Sequence, residues 1–183
     1  MKLILGLGNP GKRYEKTRHN VGFIIADALR DEWKKFSATD WHLSKKFNAE
    51  IAECAIGDKK IVLAKPMTFM NDSGQAAQLI AAYYKLSPAD ILVIHDDKDL
   101  PLGQIKIQTD RGHAGHKGVE SVMAHLGAKE FTRARIGIAN PDPKKMGDTA
   151  KFVLDKFSIG EKRLLKKTVE EAVGQIAETL HIT

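Results

Sequence analysis

LILGLGNPGKRYEKTRHNVGF, residues 3–23, decides how this chain folds. An apolar run, Leu3, Ile4 and Leu5, empties into a turn built on Gly6, Gly8 and Gly11 around Asn9 and Pro10, and His19 and Asn20 follow a short basic linker. That order reads as strand, tight turn, helix. A buried strand ending in such a turn delivers polar side chains to the carboxyl edge of a sheet, where open α/β folds place their ligands. Asn9 and His19 are therefore the first candidate site residues.

Outward from this stretch, Val21, Phe23, Ile24, Ile25, Ala28 and Leu29 recur at helical spacing through residue 33, with Asp27, Arg30, Asp31 and Lys34 on the other side. Residues 37–46 are polar around Trp41 and read as a surface connection. Residues 48–56 and 61–64 flank Gly57 and Asp58, a two-residue hairpin signal that makes the sheet mixed rather than purely parallel. A helix runs to Tyr84 after residues 71–74, with Asn71 or Asp72 as its N-cap. Ile91, Leu92, Val93 and Ile94 form a short apolar strand that stops at His95, leaving Asp96, Asp97 and Asp99 at its carboxyl end. Next come a strand over 103–108, a glycine and histidine loop over 109–118, a helix over 119–126, a last strand over 135–139, a proline-containing loop over 140–148 and a long helix over 159–180. The pattern predicts one α/β domain over 1–183.

Composition sets the outer limits. At 183 residues and 43% hydrophobic, the chain buries a core without disulfides or metal. A formal net charge of +6 favours a polyanionic partner without establishing one. Cys54 is the single cysteine, which leaves no internal disulfide, fits a reducing compartment and, within an apolar strand, reads as an inert thiol. No apolar segment approaches the ~20 residues of a membrane span, and the N-terminus lacks a signal-peptide pattern, so a cytoplasmic protein is expected.

Gly6, Gly8 and Gly11 match the dinucleotide-binding spacing, but Pro10 precedes the third glycine, Lys12 and Arg13 follow it, and no ribose-binding acid lies about 20 residues on. No nicotinamide cofactor is expected. The acidic run at 95–99 is interrupted by Lys98, and His113 and His116 lack a third ligand of obvious spacing, so no metal is expected either. No Gly-x-Ser-x-Gly elbow exists, and Ser73 reads as a helix-start residue rather than a nucleophile. What remains is a histidine that activates water. Strand ends deliver Asn9, Asn71 and Asp96 to the edge where His19 sits, and a carboxylate beside an imidazole fixes its tautomer and stabilises the imidazolium. Amide side chains then hold a carbonyl substrate and its developing oxyanion.

Five segments together resemble the bacterial peptidyl-tRNA hydrolase family: GLGNPGKRYEKTRHNVGF (6–23), KPMTFMNDSGQA (65–76), ILVIHDDKDLPLGQIKI (91–107), GHAGHKGVESV (112–122) and RARIGIANP (133–141). The resemblance implies a single-domain α/β/α sandwich, a twisted mixed sheet flanked by helices on both faces, usually monomeric. It also implies hydrolysis of the ester between peptide and tRNA, with peptidyl-tRNA as partner and no cofactor. Carried over by position, the catalytic histidine falls on His19, its orienting aspartate on Asp96 and the substrate-holding asparagines on Asn9 and Asn71. Tyr14, Phe69 and Met70 fall on positions shaping the crevice near the tRNA end and the peptide. The basic 5′-phosphate contact falls on Arg135, with Arg133 on the same strand face.

Three positions depart from that pattern. Lys117 stands where the family usually has an asparagine, and is assigned here to RNA phosphate. Gln108 stands where a tRNA-contacting lysine is common, with Lys106 nearby as its substitute. Lys98 replaces a usual apolar residue. Residues 140–155, interrupted by Pro141, Pro143 and Gly147, are read as a mobile rim over the crevice.

Overall fold

The computed structural model describes residues 1–182. Seven strands, β1 (Lys2–Gly6), β2 (His42–Ser44), β3 (Ala49–Ile56), β4 (Lys59–Pro66), β5 (Ile91–Pro101), β6 (Ile105–Gln108) and β7 (Thr132–Ala139), form one sheet in the order β2-β3-β4-β1-β5-β7-β6. β1 lies parallel to both β4 and β5, and β5 lies parallel to β7. The hairpin partners β3 and β4 are antiparallel, as are β2 with β3 and β6 with β7, so the sheet is mixed as the Gly57 turn predicts.

Helices cover both faces. α2 (Ser73–Tyr84) and α3 (Lys117–Leu126) bury Ala76, Ile80, Val119 and Val122 against Leu3, Leu5, Val62, Ala64 and Val93. On the other face, α1 (Val21–Glu32) and α5 (Ile159–Thr179) bury Ile25, Leu29, Ala172 and Ile176 against Ile4, Leu63, Leu92 and Ile94. Strands covered on both faces need apolar residues at every position, which explains the unbroken runs at 3–5 and 91–94. Each fully buried leucine or isoleucine contributes about 1.5–3 kcal/mol relative to exposure.

The start of α1 is pressed onto the strand ends. A Cβ on Gly22 would lie 2.5 Å from the carbonyl oxygen of Ile94 and 2.5 Å from the amide nitrogen of Leu7, so only glycine allows this approach. Gly6 meets Gly22 in the same way, its added Cβ falling 2.5 Å from the Gly22 carbonyl oxygen. This contact holds the residues just before α1 over the carboxyl edge of the sheet.

Apart from shifts of two or three residues at element ends, such as β7 beginning at Thr132 rather than 135, the elements differ from the sequence reading in four places. β5 does not stop at Ile94 but continues through the charged run, with His95, Asp96 and Asp97 in register with Arg135, Ile136 and Gly137 of β7, and a register shift before Pro101. The paired charges of β7 take the place of apolar neighbours. Residues 42–44 form an edge strand on β3 rather than a plain connection; it is short, and His42 and Leu43 are exposed, so it carries no apolar signal. Asp72 occupies the N-cap position of α2 but makes no capping hydrogen bond, and Asn71 lies one residue outside it. The proline-containing segment contains α4 (Thr149–Leu154), capped by Asp148, which accepts from the Lys151 amide at 2.8 Å. Cys54 is buried on β3, and burial pushes its thiol up to about 11, in keeping with an inert role.

Candidate active site

The carboxyl ends of β1 and β5, the turn before α1, the turn before α2, the loop before α3 and α4 enclose a crevice of about 890 Å³. His19 enters it from a 3-10 turn, Arg18–Asn20, whose position follows from the Gly6 and Gly22 contact. The neighbouring Asn20 is buried and clips the first turn in place: its Oδ1 accepts from the Asn9 amide at 2.9 Å and its Nδ2 donates to the Asn9 carbonyl at 2.9 Å. Asn9 in turn accepts at Oδ1 from the Met70 amide, 2.8 Å away. Its Nδ2 is thereby the end of the amide without a protein partner among the described residues. Asn71, next to Met70 on the turn Met70–Asp72, lines the same crevice and is exposed.

Asp96 lies at the floor, 2% exposed, and its Oδ1 is 2.7 Å from His19 Nδ1 and 2.9 Å from His116 Nε2. A backbone amide fixes one tautomer and the carboxylate fixes the other. His116 is the N-cap of α3, and its Nδ1 accepts from the Val119 amide at 3.3 Å, so the proton is on Nε2 and points at Asp96. A carboxylate accepting at Oδ1 requires the proton of His19 on Nδ1, leaving Nε2 as the basic nitrogen. Burial opposes ionisation of Asp96, but His116 and His19 outweigh it and hold the carboxyl well below its ordinary range. His95, fully buried behind His116, donates from Nδ1 to the Asp96 carbonyl at 2.7 Å, and burial keeps its imidazole neutral far below the ordinary 6.5. His19, Asp96 and His116 also present ligand atoms within 4.8 Å of one another, the one such group among the described residues. Those atoms are engaged in the two hydrogen bonds just described.

The basic wall is more differentiated than the sequence reading had it. Arg135 donates from Nε to Asp97 Oδ2 at 2.7 Å and from Nη1 to Gln108 Oε1 at 2.6 Å, with Nη2 in ion-pair contact with the same Asp97 oxygen. Among the described residues the guanidinium keeps unbonded hydrogens on its terminal nitrogens, which suit an anion. Gln108, at the departing position, thus aims Arg135. Arg133 is 2% exposed and donates from Nη1 to the Gly112 carbonyl at 3.0 Å, so it ties down the loop before α3 instead of standing free as a surface cation. Lys106 is exposed opposite Arg135 in the β6 to β7 register. Lys117 lines the crevice and pairs with Glu120 at 2.9 Å. Phe69 is 56% exposed at the rim, Met70 is buried beneath it, and Tyr14 packs edge-on against Phe69 with ring centroids 6.4 Å apart.

His19, Asp96, Asn9 and Asn71 therefore meet in one crevice with Phe69, Met70, Lys117, Arg133 and Arg135, while Tyr14 reaches it through Phe69 and Lys106 lies beyond its lining. Two residues went unread. His116 was considered only as half of a metal pair, although its place directly before an apolar helical run is an N-cap signal. Asp97, left by the sequence at the end of the apolar strand, pairs with Arg135, and the two arginines of β7 are the clue the sequence holds.

A family profile described as peptidyl-tRNA hydrolase matches residues 3–182. The chain is 42% identical to the peptidyl-tRNA hydrolase of Aquifex aeolicus, over 100% of this chain and 92% of that protein. It is 40% identical to that of Neisseria meningitidis serogroup B, over 98% and 91%. Among solved structures, peptidyl-tRNA hydrolase from Acinetobacter baumannii superposes with a TM-score of 0.85 at 34% identity, covering 96% of this chain and 86% of the other.

Proposed function

We propose, for a chain that belongs to the peptidyl-tRNA hydrolase family, that His19 is the general base and that Asp96, Asn9 and Asn71 complete its site. The reaction is hydrolysis of the ester joining a peptide to tRNA, which releases free tRNA for translation. The observation that carries the assignment of roles is the 2.7 Å contact between His19 Nδ1 and Asp96, in the crevice that also holds Asn9 and Asn71.

In this scheme His19 Nε2 takes a proton from water as the water attacks the ester carbonyl, and Asp96 stabilises the imidazolium that forms. Asn9, through Nδ2, and Asn71 hold the substrate, with Asn71 facing the attacked carbonyl or the water. The imidazolium then returns its proton to the departing ribose oxygen. Arg135, Lys106 and Lys117 meet tRNA phosphates, Arg133 supports the loop beneath them, and Phe69, Met70 and Tyr14 shape the approach of the tRNA end. The single sheet supports one domain over the described residues. We further infer a cytoplasmic monomer, in keeping with the lone buried Cys54 and with the absence, among the described residues, of a helix long and apolar enough to cross a membrane.

The test is release of free tRNA from N-blocked aminoacyl-tRNA beside the unblocked form. Wild type cleaves the blocked form, and a folded His19→Ala variant loses activity by about 10² to 10⁴. Near-normal turnover in folded His19→Ala would remove His19 from the mechanism.

A further inference from the structure

Arg18, the residue before His19, is 6% exposed, yet it is not among the residues that line the crevice. It points the other way. Nη2 donates to both carboxylate oxygens of Glu161, at 3.0 and 2.9 Å, and Nη1 donates to the Lys156 carbonyl at 3.0 Å. The guanidinium carbon stands 4.4 Å from the ring centroid of Phe152 and 5.2 Å from that of Phe157. Two backbone ties reinforce it: the Arg18 amide donates to the Asp155 carbonyl at 3.1 Å, and Thr17 bridges Lys156.

The partners are separate parts of the molecule. Phe152 belongs to α4, whose Thr149, Ala150, Val153 and Leu154 form one wall of the crevice. Glu161 is the third residue of α5, in a capping box with Ser158, and also accepts from Asn140 at the end of β7 at 3.3 Å. One side chain therefore joins the histidine turn, the crevice wall and the start of the last helix. Buried ion pairs add little net stability over a well-packed apolar substitute. What this one supplies is direction, because a planar guanidinium held by Glu161 through Nη2 and by the Lys156 carbonyl through Nη1, with a ring against it, has one orientation.

We propose that Arg18 is a positioning residue, a latch that sets His19 against Asp96 and holds α4 at the matching distance across the crevice. The proposal rests on His19 as the base. Loss of the latch leaves the phosphate-facing cations untouched but lets the imidazole drift, and a misplacement of about 1 Å costs on the order of 10²-fold in rate.

The experiment measures kcat and KM for N-blocked aminoacyl-tRNA across pH for wild type, Arg18→Met, Arg18→Lys, Glu161→Gln, the Arg18→Met and Glu161→Gln double variant, and His19→Ala. Arg18→Met is expected to lower kcat by about 10- to 100-fold with KM within about threefold, and to move the acidic limb of kcat/KM. Arg18→Lys recovers part of the loss, since an ammonium keeps the charge but neither the fork nor the stack. The double variant is no worse than Arg18→Met, because the two residues act as a unit. A folded Arg18→Met protein with kcat within about twofold of wild type, or with a change in KM alone, overturns the latch while an inactive His19→Ala keeps the base. An active His19→Ala overturns the base itself. Should Arg18→Met fail to fold, wild-type kcat and an unmoved pH profile in both Arg18→Lys and Glu161→Gln overturn the latch equally.

Discussion

On β4, Ile61, Val62, Leu63 and Ala64 are buried among apolar side chains; on β5 and β7, His95, Asp96, Asp97 and Arg133 are buried almost as deeply among charges. Depth of burial does not separate core from site in this sheet. What separates them is the way each burial is made tolerable. The β4 side releases apolar surface from water. The β5 and β7 side would cost several kcal/mol per unpaired ion, and offsets that by pairing: Asp96 with two imidazoles, Asp97 with Arg135, Arg133 with a loop carbonyl. The half of the sheet that lines the crevice is held by directional bonds, and direction is what a reacting site needs.

The contrast can be broken most sharply at Asp96. Asp96→Asn keeps the shape but removes the charge that fixes the His19 tautomer, and hydrolysis is expected to fall by about 10² to 10⁴ while the protein stays folded. A kcat within threefold of wild type would place the orienting charge elsewhere. The mirror experiment is Leu63→Ala, which opens a cavity in the apolar half and costs about 2–5 kcal/mol of stability in urea unfolding, with unchanged kcat per folded molecule. A loss of kcat at full folding would show that the two halves are not separable.

Acid sharpens the comparison further at His95 and Asp96. The His95 pKa lies below the ordinary 6.5, so as pH falls beneath 6.5 the unfolded chain takes up a proton that the native state refuses, and stability drops by at most about 1.4 kcal/mol per pH unit. The Asp96 contribution is separate: with its pKa lowered, it is fully present above the ordinary 3.8 and is lost as pH falls below that value. Urea midpoints between pH 7 and about 5 should slope in wild type and flatten in His95→Gln. An equal slope in both would assign the acid limb to other groups.

The apolar half was legible in the chain. Leu3 to Leu5 and Ile91 to Ile94 announce two-sided burial, and Gly57 with Asp58 announces the hairpin. The charged half was not, since a run of acids ordinarily signals a loop tip; only β7, nearly forty residues on, shows that β5 continues. Asn9, Asn71 and Asp96 are readable as candidates because each follows an apolar run, and His19 because an apolar helical face begins two residues after it. His116 was hidden because its role depends on a backbone amide in α3 and a carboxylate twenty residues away. Arg133 is the converse case, a cation whose charge is visible in sequence while its burial is not.

The position of β1 has a consequence for how the molecule is made. Lys2–Gly6 is the earliest strand in the chain, yet it lies at the centre of the sheet, between β4 and β5. A ribosome delivers it long before either neighbour, since β4 ends at residue 66 and β5 starts at residue 91. The nascent chain must therefore carry this apolar segment without β4 until residue 66 and without β5 until residue 91 or later. The native sheet, and with it every bond to Asp96, closes only after much of the chain has emerged.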